Sequence, residues 1–196
     1  LKLGKAVAGH EEIVRLAAKA DIHGRRAMIQ ARAFSTAHDR VMIDLDAEPD
    51  GDKFSLAGTI EAPANGVIAG LTGLHQALAL RVGGKGTWHV WDGSAKGSLG
   101  GRRIVDLGLG VRDGRYSLGG TLAPSELLHG KLQRLTQPQI KVLGSATLQD
   151  RQLTGQINLA SPALQFAAKG TVDLAGGAFA PLGIDLKLLR PPALFP

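Results

Sequence analysis

Apolar and polar residues alternate along most of this chain with a period of two. Successive side chains of an extended strand point to opposite faces, so the pattern predicts strands with one apolar face each. In "VRLAAKADI", for example, Leu16 falls on one face while Arg15 and Lys19 fall on the other. The predicted apolar positions are every second residue of 14–22, 41–47, 54–62, 105–111, 116–122, 140–148, 153–159, 164–174 and 182–188.

Short turn sequences separate these strands. Asp-Gly and Gly-Gly pairs supply the positive φ angles that tight hairpin turns need. Strands joined in this way predict an antiparallel meander of roughly a dozen strands, which makes the fold class mainly all-β. The predicted turns are "PDGD" at 49–52, "WDGS" at 91–94, "RDGR" at 112–115, "QDRQ" at 149–152 and "AGGA" at 175–178.

One unit of sequence occurs twice, as "DGDKFSLAGTIEAP" at 50–63 and "DGRYSLGGTLAP" at 113–124. Each copy predicts a turn, a strand that begins with an aromatic residue, and a proline that ends the strand. Leucine and valine spacing after each copy predicts a short amphipathic helix, at 63–78 and 124–138. A looser third copy, "FAAKGTVDLAG", begins at Phe166 and lacks the helix. Such a repeat is typical of an extended, stacked architecture.

The predicted apolar faces carry glycines in mid-strand, at positions 58, 120, 144, 155 and 170. Glycine there weakens a strand and often marks a bend or a close backbone approach. Two interpretations follow. Either a curled sheet closes on itself and fills its core with side chains, or it remains an open trough that takes up apolar ligands. Packed cores are the default, so physical chemistry alone favours the first.

Composition narrows the possible functions. The chain has 196 residues, no cysteine and a net charge of +6, and its aromatic content is only 4%. Without cysteine, disulfides and thiol chemistry are excluded. Lysines and arginines are scattered without runs, which argues against nucleic-acid binding. No signal peptide, initiator Met or apolar run of membrane-spanning length is present, so we expect an internal piece of a longer protein.

No catalytic motif is visible. "GGKGT" at 83–87 lacks the residues of a phosphate-binding loop, "HEEIV" at 10–14 lacks the second histidine of a zinc helix, and the six histidines show no ligand spacing. We therefore predict that the protein is not an enzyme and uses no cofactor or metal. Trp88 and Trp91 alternate along a predicted strand, so we expect one to be buried and the other to contact a partner or an interface.

The Asp-Gly hairpins, the short helices and strands such as "FSLAGTIEAP", "YSLGGTL" and "FAAKGTVDLAGGAFAPLGIDLKLL" resemble the TamB/AsmA-like family of bacterial envelope proteins. The resemblance spans most of 12–196 and is strongest at 50–130 and 163–196. It implies a single elongated β-repeat segment over 1–196, curled into an open, U-shaped (taco-like) sheet with an apolar interior.

The same resemblance implies a function. Full-length members span the periplasm from an inner-membrane anchor and are associated with phospholipid transport to the outer membrane, or with outer-membrane protein assembly beside an Omp85-type barrel. On this reading, phospholipid acyl chains would occupy a groove. The residues expected to line it are Leu16, Ile43, Leu45, Leu56, Ile60, Leu107, Leu109, Leu118, Leu122, Val142, Ile157, Leu159, Phe166, Val172, Ile184 and Leu186.

Two alternatives remain open at the level of sequence. The first alternative to a lipid groove is a folding scaffold that pairs its sheet edges with client strands. The second is an inert structural, adhesin-like β-repeat. Bound lipid would favour the groove, and client binding that is lost on inserting an edge proline would favour the scaffold.

Overall fold

Antiparallel strands make up most of the protein, as the alternation of apolar and polar residues predicts. The computed structural model describes residues 2–3, 12–179 and 182–191. Those residues form twelve longer strands, two strands of two residues each and two short α-helices. The chain divides into two compact units, unit 1 at residues 1–103 and unit 2 at 104–196. That both form one elongated, curled segment stays a prediction.

Unit 1 is a meander in which strands that are consecutive in the sequence pair with one another, from β1 to β7. Every ladder between neighbours is antiparallel. Its strands are β1 (Lys2–Leu3), β2 (Glu12–His23), β3 (Arg26–Ser35), β4 (Arg40–Glu48), β5 (Lys53–Ala62), β6 (Leu78–Gly86) and β7 (Val90–Leu99).

Unit 2 repeats this plan. Strands β8 to β12 pair in sequence order, and both β13 and β14 pair with the outer edge of β12. The strand β8 begins two residues before the boundary between the units. The strands are β8 (Arg102–Arg112), β9 (Arg115–Leu122), β10 (Ile140–Gln149), β11 (Gln152–Ala160), β12 (Leu164–Asp173), β13 (Ala178–Phe179) and β14 (Gly183–Leu188).

Four of the five predicted turns are confirmed. In two of them, Asp113–Gly114 and Asp150–Arg151, both residues have positive φ, as expected for the tight turn of a hairpin. The fifth prediction, a turn at "WDGS", is wrong because 91–94 lies inside β7. The chain instead turns at 87–89, and a further hairpin turn at Gly24–Arg25 has no counterpart among the predictions.

Both predicted helices are present but shorter than expected. Helix α1 covers Val67–Thr72, and helix α2 covers Gly130–Thr136 after a separate 3₁₀ turn at Pro124–Glu126. The predicted apolar faces of these helices are only partly correct. Val67 and Leu135 are buried, but Leu71 and Leu132 are exposed. Helices of about two turns have too few positions for a continuous apolar stripe.

Candidate functional site

One face of the unit 1 sheet is apolar from β2 to β7. We call it the apolar face of unit 1; Ser35 carries its only hydroxyl group. Residues opposite one another in each ladder share a face, which makes the set a consequence of register. The set is Val14, Leu16, Ala18, Ala20, Ile22, Ala27, Ile29, Ala31, Ala33, Ser35, Val41, Ile43, Leu45, Ala47, Phe54, Leu56, Gly58, Ile60, Ala62, Leu78, Leu80, Val82, Gly84, Gly86, Trp91, Gly93, Ala95, Gly97 and Leu99.

This face is buried at both ends of the central strands and open between them. At the end that carries α1, Ala62 and Leu99 are buried, and at the opposite end Trp91 is buried. Midway along their strands, Ile43 and Val82 are 42% and 38% exposed. An apolar band therefore crosses the strands between two buried borders and is accessible from solvent.

An aromatic cluster forms the border at the turn end of unit 1. The ring centroid of Phe54 lies 4.8 Å from that of Trp88 and 5.8 Å from that of Trp91. A methyl group on Gly84 or on Gly93 would lie 2.2 Å from a ring carbon of Trp91. The two glycines thus leave the space that the Trp91 ring occupies. This packing explains why the Asp-Gly pair of "WDGS" lies within a strand rather than in a turn.

The two tryptophans differ as the sequence predicts, but for another reason. Trp91, in β7, is 7% exposed, which confirms that one of them is buried. Trp88 does not lie on a strand; it belongs to the turn before β7 and is 43% exposed. Its backbone N–H donates to Asp52 Oδ1 at 2.9 Å, which ties this turn to the β4–β5 turn.

A buried carboxylate holds the border at the helix end of unit 1. Asp39, in the turn between β3 and β4, accepts hydrogen bonds from the backbone N–H groups of Val67 (2.7 Å) and Ile68 (3.2 Å). Asp39 therefore caps α1 from a distant part of the sequence, because Gly66 at the N-cap position has no side chain to do so. The Ser35 hydroxyl also donates to Asp39.

Unit 2 has an apolar face of the same kind. Its register brings together the alternate residues of β8 to β12 and of β14. Tyr116, at the place in the repeat that Phe54 occupies in unit 1, is 40% exposed. The face consists of Val105, Leu107, Leu109, Val111, Tyr116, Leu118, Gly120, Leu122, Ile140, Val142, Gly144, Ala146, Leu148, Leu153, Gly155, Ile157, Leu159, Leu164, Phe166, Ala168, Gly170, Val172, Ile184, Leu186 and Leu188.

Every predicted lining residue lies on the apolar face of its own unit. Leu16, Ile43, Leu45, Leu56 and Ile60 belong to unit 1, and the other eleven belong to unit 2. That they line a lipid groove stays a prediction.

Sequence reasoning missed the apolar residues of β3, β6 and β7. In β3 the apolar Met28 and Phe34 fall on the opposite face and blur the alternation. In β6 and β7 glycine replaces the side chains that would have marked it. A usable signal was present in "AMIQARA", where small or aliphatic residues alternate with Gln and Arg.

The opposite face of unit 1 is charged. Arg26 donates to both carboxylate oxygens of Asp46 at 3.1 Å, and Lys53 also contacts this carboxylate. Hydrogen bonding from Lys53, and further hydrogen bonding and charge from Arg26, lower the pKa of Asp46, although desolvation opposes the shift. On the same face Arg32 donates to Asp44 at 2.8 Å. These ion pairs make this face of the unit 1 sheet hydrophilic.

No family model, curated protein or solved structure matches the chain. Membership of the TamB/AsmA-like family therefore stays a prediction that rests on the sequence pattern.

Residues 2–3, 12–179 and 182–191 contain neither a candidate metal site nor a candidate membrane-spanning helix. No group of three or more His, Asp or Glu side chains within these ranges is arranged to hold a metal ion. The described helices are also too short or too polar to cross a bilayer.

Proposed function

We propose that the protein is a segment of a periplasm-spanning envelope protein of the TamB/AsmA-like kind, and that its apolar faces bind the acyl chains of phospholipids. The observation that carries the proposal is the register: in each unit, one face is apolar across six strands, apart from the hydroxyl groups of Ser35 and Tyr116. Large exposed apolar surfaces on soluble proteins usually mark a binding site.

The form of the unit 1 face suits acyl chains. Its open band crosses the strands and is floored by small or aliphatic side chains, including Ala31, Gly58 and Ala95. Burying one methylene group is worth about 0.8 kcal/mol, so a chain of a dozen or more methylenes binds such a band without any specific polar contact. Curling of the sheet into a U would deepen the band into a groove.

The resemblance supplies the cellular setting of the proposal. In that setting the full-length protein is anchored in the inner membrane, pairs with an Omp85-type outer-membrane barrel and conducts phospholipids between the two membranes, or supports outer-membrane protein assembly. A binding face of this kind needs no catalytic group. The charged face of unit 1 would meet the aqueous periplasm.

Lipid retention tests this proposal. The chain is expressed in bacteria, purified without detergent and analysed by native mass spectrometry and by extraction of bound lipid. Ile157→Asp puts a charge in the middle of the unit 2 apolar face, and we expect it to reduce co-purifying phospholipid several-fold because a carboxylate cannot be desolvated beside acyl chains.

Asn158→Asp is the matched control. It introduces the same charge one residue along β11, on the exposed polar face, and should leave bound lipid unchanged. A wild-type chain that folds and carries no phospholipid would overturn the proposal, and so would equal loss of lipid in both variants.

A second candidate, capture of client strands, is favoured by the edge strand β14. Among the described residues β14 pairs only with β12, while Ile184 and Leu186 on it are highly exposed. An open strand edge is a template for further pairing. Asp185→Pro and Leu186→Pro remove adjacent N–H groups, one of which faces away from β12. Client peptide binding that survives in both variants would exclude strand capture.

A further inference from the structure

The turn end of unit 1 carries exposed apolar side chains outside the open band to which acyl chains are proposed to bind. Trp88 in the β6–β7 turn is 43% exposed, and Val90, the first residue of β7, is 46% exposed. Ile22, near the end of β2, is 71% exposed. The antiparallel register brings the β2–β3, β4–β5 and β6–β7 turns to the same end of the sheet. The three exposed side chains therefore lie at one end of unit 1.

The β6–β7 turn holds Trp88 in a defined position. The backbone N–H of Trp88 donates to Asp52 Oδ1 at 2.9 Å, and its ring centroid lies 4.8 Å from that of Phe54. Within the turn, Thr87 Oγ1 accepts hydrogen bonds from the backbone N–H groups of the next two residues along the chain that can reach it, at 3.2 and 2.8 Å. An ordered turn therefore presents the indole ring, and ordering before binding lowers the entropy cost of an association.

Trp88 is continuous with the apolar face of unit 1. Its ring packs on Phe54, which belongs to the row of that face nearest to the three turns. No residue of this row carries a charge, so an apolar surface leads from the turn end onto the face. The row takes one residue from each strand from β2 to β7: Ile22, Ala27, Ala47, Phe54, Gly86 and Trp91.

The charged groups at the turn end carry both signs. Arg25 of the β2–β3 turn and Asp50 of the β4–β5 turn form an exposed ion pair, with Arg25 Nη1 3.3 Å from Asp50 Oδ1. Lys53, which follows the β4–β5 turn, pairs with Asp46. Charges balanced in this way match the headgroup of a zwitterionic phospholipid, which carries one phosphate and one ammonium group.

We propose that the turn end of unit 1 docks on the surface of a phospholipid bilayer, with the indole ring of Trp88 at the level of the headgroups. Tryptophan favours this interface because its ring is apolar and its N–H is polar. The choice of a bilayer over a protein partner rests on the proposed binding of acyl chains, since docking places the edge of the apolar face against the source of those chains. A few apolar side chains give weak, reversible membrane binding.

Fluorescence with phosphatidylcholine vesicles tests the docking. These vesicles have no net charge, so the net charge of +6 on the chain does not drive the association. Vesicles should shift the tryptophan emission of the wild-type chain to shorter wavelength, and lipids brominated on their acyl chains should quench it. Trp88→Phe leaves the buried Trp91 as the only tryptophan and should show neither change.

Sedimentation with the same vesicles measures the contribution of each side chain. Trp88→Ser should weaken binding about fivefold or more, and Ile22→Ser by a smaller factor, because each removes apolar area from the contact. His89→Ser is the matched control, since it changes an exposed residue of the same turn without removing an apolar side chain. It should change binding by less than about twofold. Circular dichroism checks that each variant is folded.

Several outcomes would overturn the docking. They are a wild-type chain that neither binds the vesicles nor shifts its emission, equal binding by Trp88→Ser and His89→Ser, and a shift that appears on concentrating the protein without vesicles. The last would assign the surface to a second copy of the chain. Phospholipid retained by the purified chain is measured separately. Retention without vesicle binding overturns the docking alone, whereas docking through Trp88 without retention overturns the binding of acyl chains alone.

Discussion

Phe54 and Tyr116 begin the same strand in the two copies of one repeat, yet their surroundings differ. Phe54 faces Gly86 across the ladder, and Trp91 follows on the next strand. Tyr116 faces Ala146 and, beyond it, Gly155. The first aromatic ring is therefore packed between two tryptophans, whereas the second is 40% exposed.

The mid-strand glycines of the two copies also differ. Gly120 has a φ of 147°, and a methyl group there would lie 2.1 Å from the backbone oxygen of Asp106. Gly58 has ordinary extended geometry, and its nearest obstacle is a methyl group of the Val82 side chain, at 2.9 Å. At Gly120 the backbone of β8 itself fills the space, so glycine is required there. At Gly58 a side chain that can rotate is the only obstacle.

The two copies share the features that their own residues specify and differ in the features that neighbouring strands determine. Turn, strand, proline and helix recur in both copies, because they depend on local residues. Burial of the aromatic residue depends on the strand two places away, which the repeat does not contain. Among the residues that the structure describes, an aromatic cluster borders the apolar face of unit 1 and not that of unit 2.

The largest expected effect separates the two aromatic residues. We predict that Phe54→Ala costs about 3 kcal/mol of stability, because it leaves a cavity between two tryptophan rings, and that Tyr116→Ala costs about 1 kcal/mol. Denaturant unfolding followed by far-UV circular dichroism measures both. Equal losses in the free energy of unfolding would show that the tighter packing of Phe54 does not stabilise the protein.

Tryptophan fluorescence sharpens this test. The chain has only two tryptophans, and both lie against Phe54. Phe54→Ala should shift the native emission to longer wavelength as water reaches the indole rings, whereas Tyr116→Ala should leave it unchanged.

The next effect separates the two glycines. Gly120→Ala should cost about 2 kcal/mol, since alanine must either strain at positive φ or displace the β8 backbone. Gly58→Ala should cost less than about 1 kcal/mol, because the Val82 side chain can rotate and a strand prefers alanine to glycine. The same unfolding curves report the two losses. A Gly58→Ala cost equal to that of Gly120→Ala would contradict this account.

Period-two alternation was sufficient to predict the apolar positions of β2, β4, β5, β8 to β12 and β14, but not those of β3, β6 and β7. The sequence could not predict the inside of the β6–β7 hairpin. There "WDGS" has the residues of a turn, but it lies inside β7. Gly93 is needed because the Trp91 ring packs where a side chain on residue 93 would lie, and this packing forms only in the folded protein. Asp39 was missed for a related reason, since it caps a helix that begins 28 residues later.

A smaller effect concerns the two helices. Asp39 caps the beginning of α1, whereas Ser161 donates a hydrogen bond to the Leu135 carbonyl near the end of α2. Asp39→Ala should cost about 1–2 kcal/mol, because it leaves two backbone N–H groups of α1 unsatisfied. Asp39→Asn keeps an acceptor and should recover part of the loss. Ser161→Ala should cost a comparable amount in the same assay, because the Ser161 hydroxyl also accepts hydrogen bonds from the backbone N–H groups of Ala163 and Leu164.

The smallest effect concerns the charged face of unit 1. Lys53 and Arg26 hold the pKa of Asp46 below its ordinary value of 3.8. A carboxyl whose pKa is lower in the folded state stabilises the protein above its unfolded pKa, and the contribution is lost as pH falls through the folded pKa. Unit 1 should therefore lose stability below about pH 4, as judged by the tryptophan unfolding midpoint.

Asp46→Asn is the variant that isolates this carboxyl. It should be somewhat less stable than wild type near neutral pH, because the ion pairs with Arg26 and Lys53 are lost. The difference should shrink as the pH is lowered, since protonation removes the same charge from the wild type. Salt should weaken the effect, because these groups are partly exposed and their interaction is screened. A difference that stays constant from neutral to acidic pH would assign the loss to packing instead of to the Asp46 charge.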